Sequence, residues 1–127
     1  TLANRGEPAL ARLSEGLLTE ARHPSPFRRG ELTPDPAMFD ADAMIFPEGA
    51  GEGLTFAAEG GPRLDFTFDN LPNLALWQKP GAPFLCIEPW HGMAARRGAG
   101  PEIAERPFAR ILAPGESARF RWSVRLG

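Results

Sequence analysis

The stretch FLCIEPWHG, Phe84 to Gly92, ends an apolar run on a carboxylate and follows it with a proline, an indole and an imidazole. Carboxylates and imidazoles are the side chains that most often move protons in catalysis. A solvated glutamate needs no such mounting, whereas a catalytic or ligand-gripping one gains rigidity from a strand. The competing reading is structural: Glu88 could pair with one of the thirteen arginines in the chain, and residue types alone favour that reading. A second carboxylate, Asp42, stands just before the short apolar run Ala43–Phe46. It could face a ligand or, with Asp40 two residues earlier, cap its own turn.

The elements that would carry these groups are short strands. Ala118–Leu126 alternates, with Phe120, Trp122, Val124 and Leu126 on the inward side and Arg119, Arg121, Ser123 and Arg125 on the other. Pro62–Phe68 alternates in the same way and is joined to Gly53–Ala58 through Glu59-Gly60-Gly61, the pattern of a hairpin. Asn73–Gln78, Phe84–Ile87, Ala43–Phe46 and Phe108–Leu112 read as further strands, the second of them apolar enough to be covered on both faces. Pro8–Leu18 fits either a strand or a frayed helix. Arg22–Gly30 and Met93–Glu105 read as loop. Fourteen glycines and fourteen prolines supply the turns. The result is an all-β, antiparallel, turn-rich chain, and a sandwich is its natural architecture.

Length and charge narrow the classes further. A chain of 127 residues suits one domain or a piece of a larger one. The formal net charge of -2 gives no reason to expect nucleic acid or an anionic membrane as a partner. No apolar run approaches the roughly 20 residues of a membrane-spanning helix. Cys86 is the lone cysteine, so an intrachain disulfide is excluded and a cysteine-based zinc site is not expected. It reads as a small buried hydrophobe, and the simplest compartment is cytoplasmic. About eight strands, several of them doubly covered, are many for a core of this size. Either the core is thin or the strands belong to a larger sheet.

Two segments resemble one family. Phe39-Asp40-Ala41-Asp42-Ala43-Met44-Ile45-Phe46, and then Leu74 to Gly92, which contains the pattern W-x-x-P-G-x-x-F-x-C-I-E-P-W-x-G, are similar to the C-terminal half of aldose 1-epimerases (galactose mutarotases). Leu112-Ala113-Pro114-Gly115-Glu116 before a last alternating strand is similar too. The resemblance runs from about Phe39 onward, and the segment around Glu88 is its specific part.

The resemblance implies that residues 1–127 are a single partial domain, the C-terminal part of a β-supersandwich about twice this length. It implies an isomerase that interconverts the α and β anomers of an aldohexose, free or phosphorylated, without metal or cofactor. Glu88 falls on the family's general base, and Asp42 on a carboxylate that hydrogen-bonds sugar hydroxyls. Trp90 would offer a flat apolar face to the pyranose, and His91 a further sugar contact; for Trp77, core packing is the more natural role. The family's acid is a histidine of the N-terminal half, and neither His23 nor His91 stands in its pattern, which places the acid before Thr1. Paired arginines (Arg28 and Arg29, Arg96 and Arg97) could hold a phosphate, although solvated surface arginines are the plainer reading. A carbohydrate-binding or accessory sandwich without turnover is the alternative from another functional class.

Overall fold

A computed structural model describes residues 1–127 and shows an all-β fold of two facing antiparallel sheets, a β-sandwich. The strands are β1 (Leu13–Ser14), β2 (Leu17–Leu18), β3 (Met44–Phe46), β4 (Gly53–Ala57), β5 (Arg63–Asp69), β6 (Asn73–Trp77), β7 (Cys86–Trp90) and β8 (Arg121–Leu126). One sheet has the order β3-β6-β7 and the other β4-β5-β8, while β1 and β2 form a small hairpin of their own. Two short 3-10 turns, Pro36–Phe39 and Ile103–Glu105, are the helical elements. Asp35 caps the first of them by accepting from the Ala37 amide at 2.8 Å, with Pro36 pre-set at its start. No helix is long and apolar enough to cross a membrane.

The core follows from strand alternation. Met44, Phe46, Leu74 and Leu76 leave one face of the β3-β6-β7 sheet and pack on Leu54 and Phe68 of the other sheet, together with Leu2, Phe27 and Phe39. Their sequence neighbours Ile45 and Ala75 leave the opposite face and form a second, smaller cluster with Ala11, Leu18, Ala43 and Met93. Strand β6 therefore carries apolar side chains on both sides, and Leu74 and Ala75 are fully buried. Such a strand must read as a nearly continuous apolar run, which NLALW does.

The β4–β5 hairpin forms where expected, with Gly61 donating to the Ala58 carbonyl at 3.1 Å and Gly60 in the left-handed region. At its other end Gly53 has φ of +152° and lies so close to β5 that an added Cβ would sit 2.0 Å from the Phe66 carbonyl oxygen. On the polar face of this sheet Asp65 accepts from the Thr55 hydroxyl at 2.6 Å and from Arg63 Nε at 2.9 Å, with Arg125 3.7 Å away.

Several expectations need correction. Strand β7 is Cys86–Trp90 and not Phe84–Ile87, so Glu88 sits mid-strand instead of at its end. Every residue of β7 is half-buried, because β7 is the sheet's edge and lacks the double cover that its apolar run suggests. Cys86 is accordingly half-buried as well. Phe108–Leu112 forms no strand. Strand β8 alternates as read, but its apolar row is open to solvent, with Trp122 58% and Leu126 74% exposed. The core stops at β5 because nothing in the facing sheet reaches over β8. The accessible surface of the whole chain is 8131 Å², against about 6,600 Å² for a typical folded monomer of this mass.

Two outcomes follow for stability. Gly53→Ala forces a side chain into the Phe66 carbonyl and into a backbone conformation that disfavours it, and should cost at least ~2 kcal/mol in denaturant unfolding. Hydrogen bonds from Arg63 and then Thr55 hold the Asp65 carboxyl below its ordinary value of 3.8. The sign is that of a depressed acid: its contribution is complete above the unfolded value and is lost as pH falls through the lower folded one. Asp65→Asn should therefore flatten the loss of thermal stability below about pH 4, read by melting at stepped pH.

Candidate functional site

Glu88 is placed by two ladders. Ile45 exchanges both backbone hydrogen bonds with Ala11, at 2.7 and 3.2 Å, so its pair with Ala75 is of the non-hydrogen-bonded kind. Alternation then turns the Ala75 backbone toward β7, where it meets Glu88 as a hydrogen-bonded pair. The same alternation points the Pro89 ring nitrogen away from β6, so the proline costs the sheet no bond. Glu88 thus stands on a fully paired backbone at the centre of β7.

Side chains two apart share a face, so Cys86, Glu88 and Trp90 stand beside Trp77 and Ala75 of β6. Ala75 is directly opposite Glu88, and its side chain is fully buried in the second cluster. Trp77 is half-buried and stacks obliquely on Phe84, with ring centroids 6.0 Å apart. Trp90 is half-buried against the second cluster. No arginine forms an ion pair with Glu88, and its carboxylate takes part in no hydrogen bond within the chain. The structural reading of Glu88 as an arginine partner therefore has no partner to point to.

The other residues singled out by sequence lie elsewhere. Asp42 is exposed, with φ of +67°, and its Oδ1 accepts from the next amide, Ala43, at 2.7 Å. It is the turn before β3. With β6 between β3 and β7, strand spacing and rise separate it from Glu88 by roughly 14 Å. His91 follows β7, and its ring packs edge-on against Phe120 at 4.7 Å between centroids. By alternation it leaves the sheet on the side away from Glu88. His23 exchanges backbone hydrogen bonds with Leu10 and is exposed. No histidine of this chain faces Glu88. Arg97 binds Ser14 and Glu15, while Arg28 and Arg29 share an exposed surface with Arg5 and Glu31. An apolar hollow of about 170 Å³, lined in part by Leu54, Phe56, Leu76, Leu85 and Ile87, opens on the opposite face of the sheet from Glu88. No group of three or more His, Cys, Asp or Glu side chains is close enough to hold a metal ion.

Two positioning residues escaped the sequence reading. Arg12 donates to the carbonyls of Asp42 at 2.8 Å and Met38 at 2.9 Å and so ties the turn before β3 to the N-terminal segment. Burial pushes its guanidinium below the ordinary value, and nearby Asp42 opposes that shift. Asn73 is fully buried; its carbonyl oxygen accepts from the Glu48 amide at 2.9 Å and its amide donates to the His91 carbonyl at 2.7 Å. Asn73 stands opposite Trp90 in the ladder, so it pins the chain as it leaves β7. A polar residue opening the apolar run NLALW was the available signal.

Among curated proteins, the chain is 24% identical over 111 residues to LacX of Lactococcus lactis subsp. lactis, in its plasmid and its chromosomal forms. The match covers 84% of this chain and 37% of LacX, so the chain spans little more than a third of its relative's length. No family model matches the chain, and no solved structure matches it.

Asn73→Ala leaves the Glu48 amide and the His91 carbonyl without their partner. The expected loss is about 2–3 kcal/mol by chemical denaturation, because an orphaned buried group forfeits its full solvation. A loss below ~0.5 kcal/mol would show that water replaces both bonds.

Proposed function

We propose that residues 1–127 carry the base side of an aldose 1-epimerase-type site, with Glu88 as general base and an aldohexose as substrate. The observation that carries this reading is the state of Glu88. Its carboxylate is half-buried and unpaired in a chain of thirteen arginines, on a rigid backbone, beside the indoles of Trp90 and Trp77. The segment Trp77 to Gly92 supplies the likeness to that family. The short match to LacX agrees in extent with a partial domain but says nothing of activity.

The chemistry asks for proton transfers and one bond rotation. Glu88 takes the proton of the C1 hydroxyl while an acid protonates the ring oxygen. The C1–O5 bond opens, the aldehyde turns about C1–C2, and the ring closes on the other face of the carbonyl. Trp90 and Trp77 flank Glu88 with flat apolar surfaces suited to the C–H side of a sugar ring. In this reading the acid comes from polypeptide outside residues 1–127, since neither histidine stands at Glu88. Asp42 and His91 lie too far from Glu88's face to grip the same ring atoms, and a role for them is confined to the rim.

The absence of a histidine at Glu88 also favours a second reading, a sugar-binding sandwich without turnover. NMR exchange between the anomers of glucose and galactose separates the two, using the natural polypeptide that contains these residues. The enzyme reading expects Glu88→Gln to lower kcat by about 10²–10⁴-fold, with sugar binding by calorimetry largely kept. Unchanged exchange in the variant removes Glu88 from the base role. Binding with no exchange in the unmodified protein selects the second reading.

A further inference from the structure

Phe108 stands where a turn asks for glycine. The Ala109 amide donates to the Arg106 carbonyl at 3.0 Å, and Pro107 and Phe108 form the centre of the β-turn between them. Proline fixes its own φ at about −65°, and Phe108 has φ of +57°, a combination that makes the turn type II. The third position of such a turn favours glycine, because a Cβ there crowds the backbone. Of the non-glycine residues at positive φ in this chain, Phe108 alone is apolar; the rest are charged or asparagine. A type I turn would suit phenylalanine, but it would rotate the central peptide and swing the Pro107 carbonyl round. As it stands, that carbonyl accepts from the Met93 amide at 3.1 Å, just beyond the end of β7. The strained backbone is thus what docks the turn beside the exit from β7.

Docking puts the Phe108 ring on Glu88's side of the sheet. Met93 is buried in the second cluster together with Ala75, which stands opposite Glu88 in the ladder, and Phe108 packs against that same cluster. So do Trp77 and Trp90, and all three aromatic residues are half-buried. The main core is different: Phe27, Phe39, Phe46 and Phe68 are buried there. A half-exposed ring recovers only part of the hydrophobic gain of burial, whereas its backbone bears the whole cost of the left-handed conformation. Glycine or asparagine would keep the turn and its bond to Met93 without that cost. Packing alone therefore gives weak reason for an aromatic residue at 108, and a ligand-facing surface gives a stronger one. Resting on the sugar reading of Glu88's face, we infer that Phe108 is a substrate-binding residue. Its ring is a third aromatic surface, beside Trp90 and Trp77, that takes an apolar C–H patch of the pyranose. It holds the sugar and moves no proton, so its effect falls on binding and not on the chemical step.

Variants at 108 separate a ligand surface from a packing residue when assayed by NMR anomer exchange of glucose and galactose, in the natural polypeptide that contains residues 1–127. Phe108→Leu keeps an apolar side chain and loses the ring; it should raise KM about fivefold with kcat and its pH profile unchanged. Phe108→Tyr keeps the ring and should hold KM within about twofold of the unmodified protein. Phe108→Gly suits the turn, so its melting temperature should fall little or rise, while KM rises at least as far as in Phe108→Leu. Calorimetry should give the same order in sugar affinity, with phenylalanine and tyrosine tighter than leucine and glycine. Equal KM and equal affinity in all four proteins overturn the inference, and a lowered kcat in Glu88→Gln then leaves the base reading standing. A fall in kcat that tracks lost thermal stability across the variants also overturns it, since Phe108 then only supports the fold. Unchanged exchange in Glu88→Gln, with weaker sugar binding in Phe108→Leu, removes the base and keeps Phe108. If the unmodified protein neither binds nor converts either sugar, both fall together.

Discussion

The fold depends on β6 being paired along both edges and packed on both faces. Leu74 and Leu76 turn their backbones to β3 and their side chains to the main core. Ala75 turns its backbone to β7 and its side chain to the second cluster. A strand held in this way has no freedom of register, because a slip of one residue would exchange its two cores. Glu88 inherits that certainty. Its position is set by Ala75 across the ladder, and Ala75 by Ile45 and Ala11 beyond it.

The same strand explains where buried polar chemistry enters. Asn73 lies at the start of β6, deep enough to be cut off from water, and it meets two backbone groups that would otherwise be orphaned. One of them belongs to the chain just past β7, the other to the turn after β3. One amide therefore fixes loops on both neighbours of β6. Arg12 does similar work on the far edge of the sheet, where it gathers carbonyls and no carboxylate.

Much of this was legible in the sequence, for reasons specific to each element. The Gly53–Ala58 and Pro62–Phe68 hairpin was readable because alternation and turn chemistry agree there, and β3 and β6 because short apolar runs were bounded by turn residues. The alternation of Ala118–Leu126 was read correctly and its burial was not, since a sequence pattern shows which side chains share a face but not whether anything covers it. Phe84–Ile87 misled in a related way: its apolar residues lie partly before the strand, and the strand proper runs through a proline whose nitrogen faces outward. Glu88 stood out because carboxylate, proline and indole follow an apolar run. Its freedom from ion pairs was not readable, because which of thirteen arginines reaches it is a question of fold and not of spacing. Asp42 matched a family pattern at a turn, yet its carboxylate spends itself on the adjacent amide.

The outward-facing nitrogen of Pro89 has a consequence of its own. Both sheets end in an uncovered strand, and an uncovered strand invites indiscriminate growth by further chains. On β7 that invitation is spoiled midway, because a proline stands where an incoming carbonyl would look for its donor. Residues 121–126 contain no such interruption. The two rims therefore differ in their covalent structure: the outer edge of β7 is one donor short at Pro89, whereas the outward amides of β8 are complete.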